Sequence, residues 1–260
     1  MTPARPRPVG RSLLVPGIVA LAGFALLIAL GTWQVERKAW KEALIDTMSR
    51  RLAAAPGELP PRQSWQRLDP ADAEFRRARF AGEFLHDQET LVYTGGSTMR
   101  SDASGPGYWV FTPARLADGT LVVVNRGFVP EGRQASASRT AGQVVGTISI
   151  VGVMRWPEPP GFFAPTADQA RNLWFRRDHR AIAGAKGWGS VPPFYIEAEE
   201  PTPPGGLPRA GKLQVNLPNN HLQYALTWYG LAIVLTAMFI AFARHQWRER
   251  ARSAKSALGA

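Results

Sequence analysis

Two uncharged apolar runs, one near each end of the chain, limit what this sequence can fold into more than any other feature. The first is residues 13–33, LLVPGIVALAGFALLIALGTW, and the second residues 224–243, YALTWYGLAIVLTAMFIAFA. Neither contains Asp, Glu, Lys, Arg or His. As a helix each run reaches about 30 Å, the thickness of bilayer hydrocarbon. Neither shows the polar face of a surface helix on a soluble domain. The expected fold class is therefore membrane α+β: transmembrane helices at 13–33 and 224–243 flank a mostly antiparallel β domain at 34–223, with tails at 1–12 and 244–260. A cleaved signal peptide is the rival reading of the first run. Ala29-Leu30-Gly31 offers only a weak small-x-small site, and the apolar run continues to Trp33.

The tails predict orientation. Residues 1–12 carry Arg5, Arg7 and Arg11 and no acid, and residues 244–260 carry Arg244, Arg248, Arg250, Arg252 and Lys255 against Glu249. Short basic flanks stay cytoplasmic, so both termini are expected inside and 34–223 outside. Arg37, Lys38 and Lys41 beyond the first run argue the other way, but Glu36, Glu42 and Asp46 interleave with them. The net charge of +11 is thus mostly topological, and no nucleic-acid partner is expected. Two short clusters remain, Arg76-Arg77-Arg79 and Arg176-Arg177-Arg180. Both read as solvated faces, with an anionic ligand or lipid headgroup as the alternative. Cysteine is absent, which excludes disulfides, thiolate chemistry and Cys-based copper transfer.

Residues 35–55 lack Gly and Pro and place Trp40, Leu44, Met48 and Leu52 at four-residue spacing, so the first helix is predicted to run on until Pro56-Gly57. Strand patterns cover 75–85, 89–94, 108–116, 121–126, 144–156 and 191–199. Asp118-Gly119 marks a hairpin, 178–185 a short helix, and the Pro/Gly-rich 201–211 a loop back towards the membrane.

His221 is the most interesting titratable residue. It follows Asn219-Asn220 at the start of the second span, with Tyr224 and Trp228 at i+3 and i+7 on the same helix face. Imidazole is a common ligand of haem iron, and a His here could hold iron at the edge of the hydrocarbon while aromatic neighbours pack on the ring. An ordinary interfacial His within an aromatic belt fits the spacing as well. His86, His179 and His245 read as surface residues, without zinc-type spacing. No GxSxG, P-loop or HExxH occurs, so nothing asks for an enzyme.

Four segments taken together resemble the surfeit locus protein 1 family of cytochrome oxidase assembly factors. They are Gly31-Thr32-Trp33-Gln34 followed by Arg37, Trp40 and Lys41; Gly105-Pro106-Gly107-Tyr108 leading through Thr112-Pro113 and Asp118-Gly119 into VNRGFVP at 124–130; Trp174-Phe175; and NNHLQYALTWYG at 219–230. The likeness runs from about residue 13 to 243, with Phe128 where the family often has Trp. It implies a non-catalytic helper in the biogenesis of haem-copper oxidases, one that binds haem A and aids its insertion into oxidase subunit I. Haem A synthase is a further candidate partner, and the lipid bilayer is the third. The position matching the family's haem-associated histidine is His221. Arg37 and Arg126 are candidates to meet the haem propionates. With 26 Arg against 5 Lys, the composition fits a bacterial genome rich in G and C, hence a bacterial inner membrane. A haem-independent scaffold and a structural subunit of a respiratory complex are the alternatives.

Overall fold

The computed structural model describes residues 9–159, 165–169 and 171–258. They divide into two compact units, Met1–Leu44 with Pro218–Ala260, and Ile45–Leu217. Arg5 and Arg7 of the basic N-terminal tail lie outside the described residues, as do the side chains of Arg11 and Lys255.

The first unit is a helix pair. Helix α1 spans Val9–Ala53, its residues from Ile45 onward counting with the second unit, and α4 spans His221–Leu258. Both contain stretches long and apolar enough to cross a bilayer, Leu13–Ala53 and His221–Ala254. The helix predicted for 35–55 is the continuation of α1, which stops just before Pro56-Gly57, as expected. The two helices run antiparallel. Gly17 meets Phe239, Gly23 meets Leu235 and Gly31 meets Tyr229 in order along α1. On α4 the buried Ala225 and Ala232 stand on the same stripe, and small residues of this kind allow close helix approach where lipid supplies no hydrophobic drive. Away from that seam Val19, Leu21, Ile233 and Met238 are 65–70% exposed. Such faces are costly in water, at about 25 cal/mol per Å², and suited to lipid.

The second unit is built on a sheet of eight strands: β1 (Gly57–Glu58), β2 (Arg77–Phe84), β3 (Thr90–Gly96), β4 (Ser104–Arg115), β5 (Leu121–Pro130), β6 (Thr147–Arg155), β7 (Leu173–Trp174) and β8 (Tyr195–Glu200). Their order is β1-β2-β6-β8-β5-β4-β3-β7, and a further β2–β4 pairing, Phe84 against Ala114, closes five of them into a small barrel. Closure removes the open edges those strands would otherwise present.

The expectation of a mostly antiparallel domain is corrected here, because the sheet is mixed. β1–β2, β3–β7 and β5–β8 pair in parallel. The β5–β8 pair needs a crossover, which the 64 residues between Pro130 and Tyr195 supply with β6 and helix α3 (His179–Lys186). Periodicity identifies strands but is blind to such partners.

Alternation along each strand divides the core. Phe80, Ala114, Val122, Val124, Ile150, Met154, Ile196 and Ala198 point into the barrel. Trp109, Phe111, Val123, Phe128 and Tyr195 point outwards, where Ile182 and Ala183 of α3 cover them. The predicted hairpin is present. Gly119 sits at φ 80°, and the backbone of Thr120 donates to Asp118 Oδ1 at 2.9 Å. A short helix α2 (Pro70–Ala73) is capped by Asp69, whose carboxylate accepts from Ala71 N at 2.8 Å.

Candidate functional site

His221 opens α4, and its position is set by α1. Nδ1 lies 2.7 Å from Gln34 Oε1. That amide oxygen can only accept, so Nδ1 carries a proton, and in the neutral ring this tautomer puts the lone pair on Nε2. Nε2 has no protein partner among the described residues. A second hydrogen bond of this kind orients most metal-bound histidines, and here it is already in place.

Neighbouring contacts fix the same corner of the helix pair. One turn before Gln34, Gly31 is buried under the Tyr229 ring: a Cβ at that position would come within 2.5 Å of Tyr229 Cε1. Thr32 Oγ1 meets Tyr229 Oη at 3.2 Å. Lys41 Nζ donates to the carbonyl of Pro218, tying α1 to the segment that leads into α4. The first turn of α4 is closed by Tyr224 N donating to Asn220 O at 3.3 Å.

Of the other residues singled out from sequence, Tyr224 is exposed on α4. Trp228 is half-buried, and its indole Nε1 is buried without a partner. Arg37 is exposed and lies over Trp40, 4.4 Å from the ring centroid. Arg37, Tyr224 and Trp228 thus share a unit with His221.

Arg126 belongs to the other unit and is committed there. It is 5% exposed on β5, and it donates to Gly142 O, to His86 Nδ1 at 3.1 Å and towards Glu89 Oε2 at 3.5 Å. Burial lowers its pKa to about 10, against the raising influence of Glu89. Glu89 also holds Arg139 through Oε2 at 2.7 Å and through Oε1.

The surface reading of His86 and His179 is corrected by this packing. His86 donates Nε2–H to Val144 O at 2.8 Å while Nδ1 accepts from Arg126; burial lowers its pKa, and Arg126 adds to the effect. His179, the first residue of α3, is fully buried and donates Nε2–H to Pro192 O at 2.8 Å. His245 is exposed on α4, as expected.

The solvated-face reading of the arginine clusters is corrected in part. Arg77 binds Glu199 at 2.7 Å, and Arg177 binds Glu158 at 2.8 Å beside the buried Glu197. Both pairings come from residues far along the chain, which charge patterning cannot see.

Gln34 is the residue that reading by chemistry misses. Amides do not stand out as ligand partners, and its only signal was its place in Gly31-Thr32-Trp33-Gln34. Among the described residues no three His, Asp or Glu side chains cluster as a bare metal ion would need. The imidazole, oriented by Gln34, could serve as one ligand to a metal that brings the rest of its own.

Comparison with known proteins agrees with the segments that resemblance picked out. The model of the family described as "SURF1 family" matches residues 21–233, which include Gln34 and His221. A "SURF1-like protein" of Monosiga brevicollis is 39% identical over 218 residues, 81% of each chain. "Surfeit locus protein 1" of Takifugu rubripes is 36% identical over 241 residues, 85% of this chain and 96% of that protein. Its namesake in Homo sapiens is 36% identical over 220 residues, 78% of this chain and 69% of the relative. The chain belongs to the SURF1 family.

Proposed function

We propose that the protein is a non-catalytic assembly factor for haem-copper oxidase, which takes haem A at the outer membrane boundary and passes it to subunit I. The observation that carries this reading is the His221–Gln34 pair, which holds an imidazole with Nε2 open at the first residue of α4. His221 Nε2 would hold the haem iron, and the porphyrin itself would supply the iron's other nitrogen ligands. A single protein ligand also leaves the cargo releasable.

Each residue then has a part. Gln34 fixes the imidazole tautomer and its plane. Trp228 and the exposed Tyr224 offer aromatic surface on the same helix face, and Arg37, braced by Trp40, offers a guanidinium for propionate carboxylates. Deeper along the pair, an apolar groove of about 400 Å³ is lined by Gly17, Leu21, Phe24, Leu235 and Phe239. Leu235 lies 14 residues along α4 from His221, about 21 Å at helical rise. That separation suits the isoprenoid tail. Arg126 is assigned a structural part in the barrel domain, since it is buried there with Nη1 and Nη2 already donating to His86, Glu89 and Gly142.

The topology that goes with this reading has both termini in the cytoplasm of a bacterium, the helices in the inner membrane and the barrel domain outside it. Subunit I is the receiving partner, and haem A synthase is the natural donor. Absorption spectra of protein purified from cells that make haem A test the reading. A Soret band with stoichiometric haem A supports it. Haem-free protein that still co-purifies with subunit I would favour a scaffold, and stoichiometric presence in mature oxidase would favour a structural subunit.

A further inference from the structure

Two arginine pairs 26 residues apart in sequence line one cleft of the barrel domain. Arg50 and Arg51 come from the last turn of α1, and Arg76 and Arg77 from the start of β2. They surround about 590 Å³ together with Glu58 and Met154, a volume typical of small-ligand sites.

Backbone carbonyls hold part of this set in place. Arg51 donates Nη1 to Glu74 O at 2.9 Å and Nη2 to Ala71 O at 2.8 Å, and no carboxylate among the described residues pairs with it. Arg77 donates Nε to Glu199 at 2.7 Å and Nη1 to Ala54 O at 3.0 Å, which leaves Nη2 unused. Arg50 pairs with Asp46 one turn away at 3.1 Å. The exposed Arg76 side chain has no hydrogen bond or ion pair among the described residues. Each guanidinium carries five N–H donors in a planar fork. Carbonyl partners orient the Arg51 fork without neutralising its charge, and the Arg76 side chain has no partner at all among the described residues, so both present uncompensated cations to the same space. Glu58 is the one carboxylate in the lining.

We propose that this cleft is a binding site for a phosphate-bearing anion, carried either by a soluble phosphate compound or by an anionic lipid headgroup. The planar forks match tetrahedral oxyanions bidentately, and the bonds that already hold Arg51 and Arg77 mean that those two side chains lose little freedom when the anion arrives. The site lies wholly within the barrel domain and is independent of haem binding.

Calorimetric titration of the full chain in neutral-detergent micelles tests this, with sodium pyrophosphate and dihexanoyl-phosphatidylglycerol as probes and dihexanoyl-phosphatidylcholine as the uncharged control. At least one of the two anions should bind at 1:1. Binding of pyrophosphate alone points to a soluble ligand. Binding of the glycerol lipid in competition with pyrophosphate points to a headgroup.

Arg76→Gln, which disturbs no internal bond, should weaken binding about tenfold, as loss of a charge-assisted contact does. Glu58→Gln should tighten it. Arg79→Gln removes the same charge three residues further along, outside the lining of the cleft, and should change nothing. The proposal is overturned if neither anion binds, if Arg76→Gln leaves affinity unchanged, or if Arg76→Gln and Arg79→Gln weaken it equally.

Discussion

Mild acid should destabilise the barrel domain before its carboxylates titrate, through histidines whose pKa burial lowers, of which His179 is the more strongly shifted. The His179 ring is fully buried, donates Nε2–H to Pro192 O at 2.8 Å, leaves Nδ1 without a partner, and lies 5.5 Å from the Tyr195 ring. Burial pushes its pKa from 6.5 down to about 4; the Pro192 bond and Asp178 oppose the shift, and Arg180 adds to it. The unfolded chain accepts a proton near pH 6.5 that the folded one refuses until about 4. The resulting stability is complete above pH 6.5 and is lost as pH falls through that window. At about 1.4 kcal/mol per pH unit, the loss by pH 4 is roughly 3 kcal/mol, a substantial part of an ordinary domain's stability. Urea unfolding at pH 7, 6, 5 and 4 reads it out, because Trp65, Trp109, Trp174 and Trp188 are all buried in this unit. His179→Gln keeps a side-chain N–H but cannot titrate. It should be less stable than the parent at pH 7, by about 1–2 kcal/mol, and should lose roughly 3 kcal/mol less on going to pH 4. Parallel pH profiles for the two proteins would refute the reasoning.

Glu89→Gln should lower barrel stability by about 3–5 kcal/mol, since it leaves the guanidiniums of Arg126 and Arg139 buried without their shared carboxylate; chemical denaturation measures it. Gly31→Val should cost about 1–3 kcal/mol by overpacking against the Tyr229 ring, and adding Tyr229→Ala should restore part of the loss in a double-mutant cycle. For topology, alkaline phosphatase fused within 201–211 should be active and fused after Arg252 inactive; the reverse pattern would place the barrel domain in the cytoplasm.

Much of the architecture is legible in the sequence because it is local. The apolar spans, the run of α1 to Ala53, the Asp118-Gly119 turn and the α3 helix all follow from periodicity or turn chemistry within a few residues. What escapes is long-range. The parallel β5–β8 pair joins Val124 to Ile196, and nothing near either residue announces the other. The closure of β2 on β4 is equally silent. His179 has the composition of a surface helix start, Asp-His-Arg, yet its ring is inside because α3 packs over the outer core cluster. At the candidate site, chemistry pointed to His221 from its position and neighbours. Its partner Gln34 lies 187 residues away, and an amide at a helix exit draws no notice until the fold brings it to the imidazole.

The claim on which the functional account rests is that His221 Nε2 takes the iron. Protein purified from haem A-producing cells, as parent, His221→Ala and His245→Ala, tests it by absorption spectroscopy and haem quantitation. His245 is the right control, being exposed, whereas His86 and His179 hold buried structure. His221→Ala should fold and insert normally, since it removes only the bond to Gln34. It should nevertheless lose the Soret band or shift it with reduced haem content, while His245→Ala matches the parent. Full haem occupancy with an unshifted Soret band in His221→Ala would contradict the account.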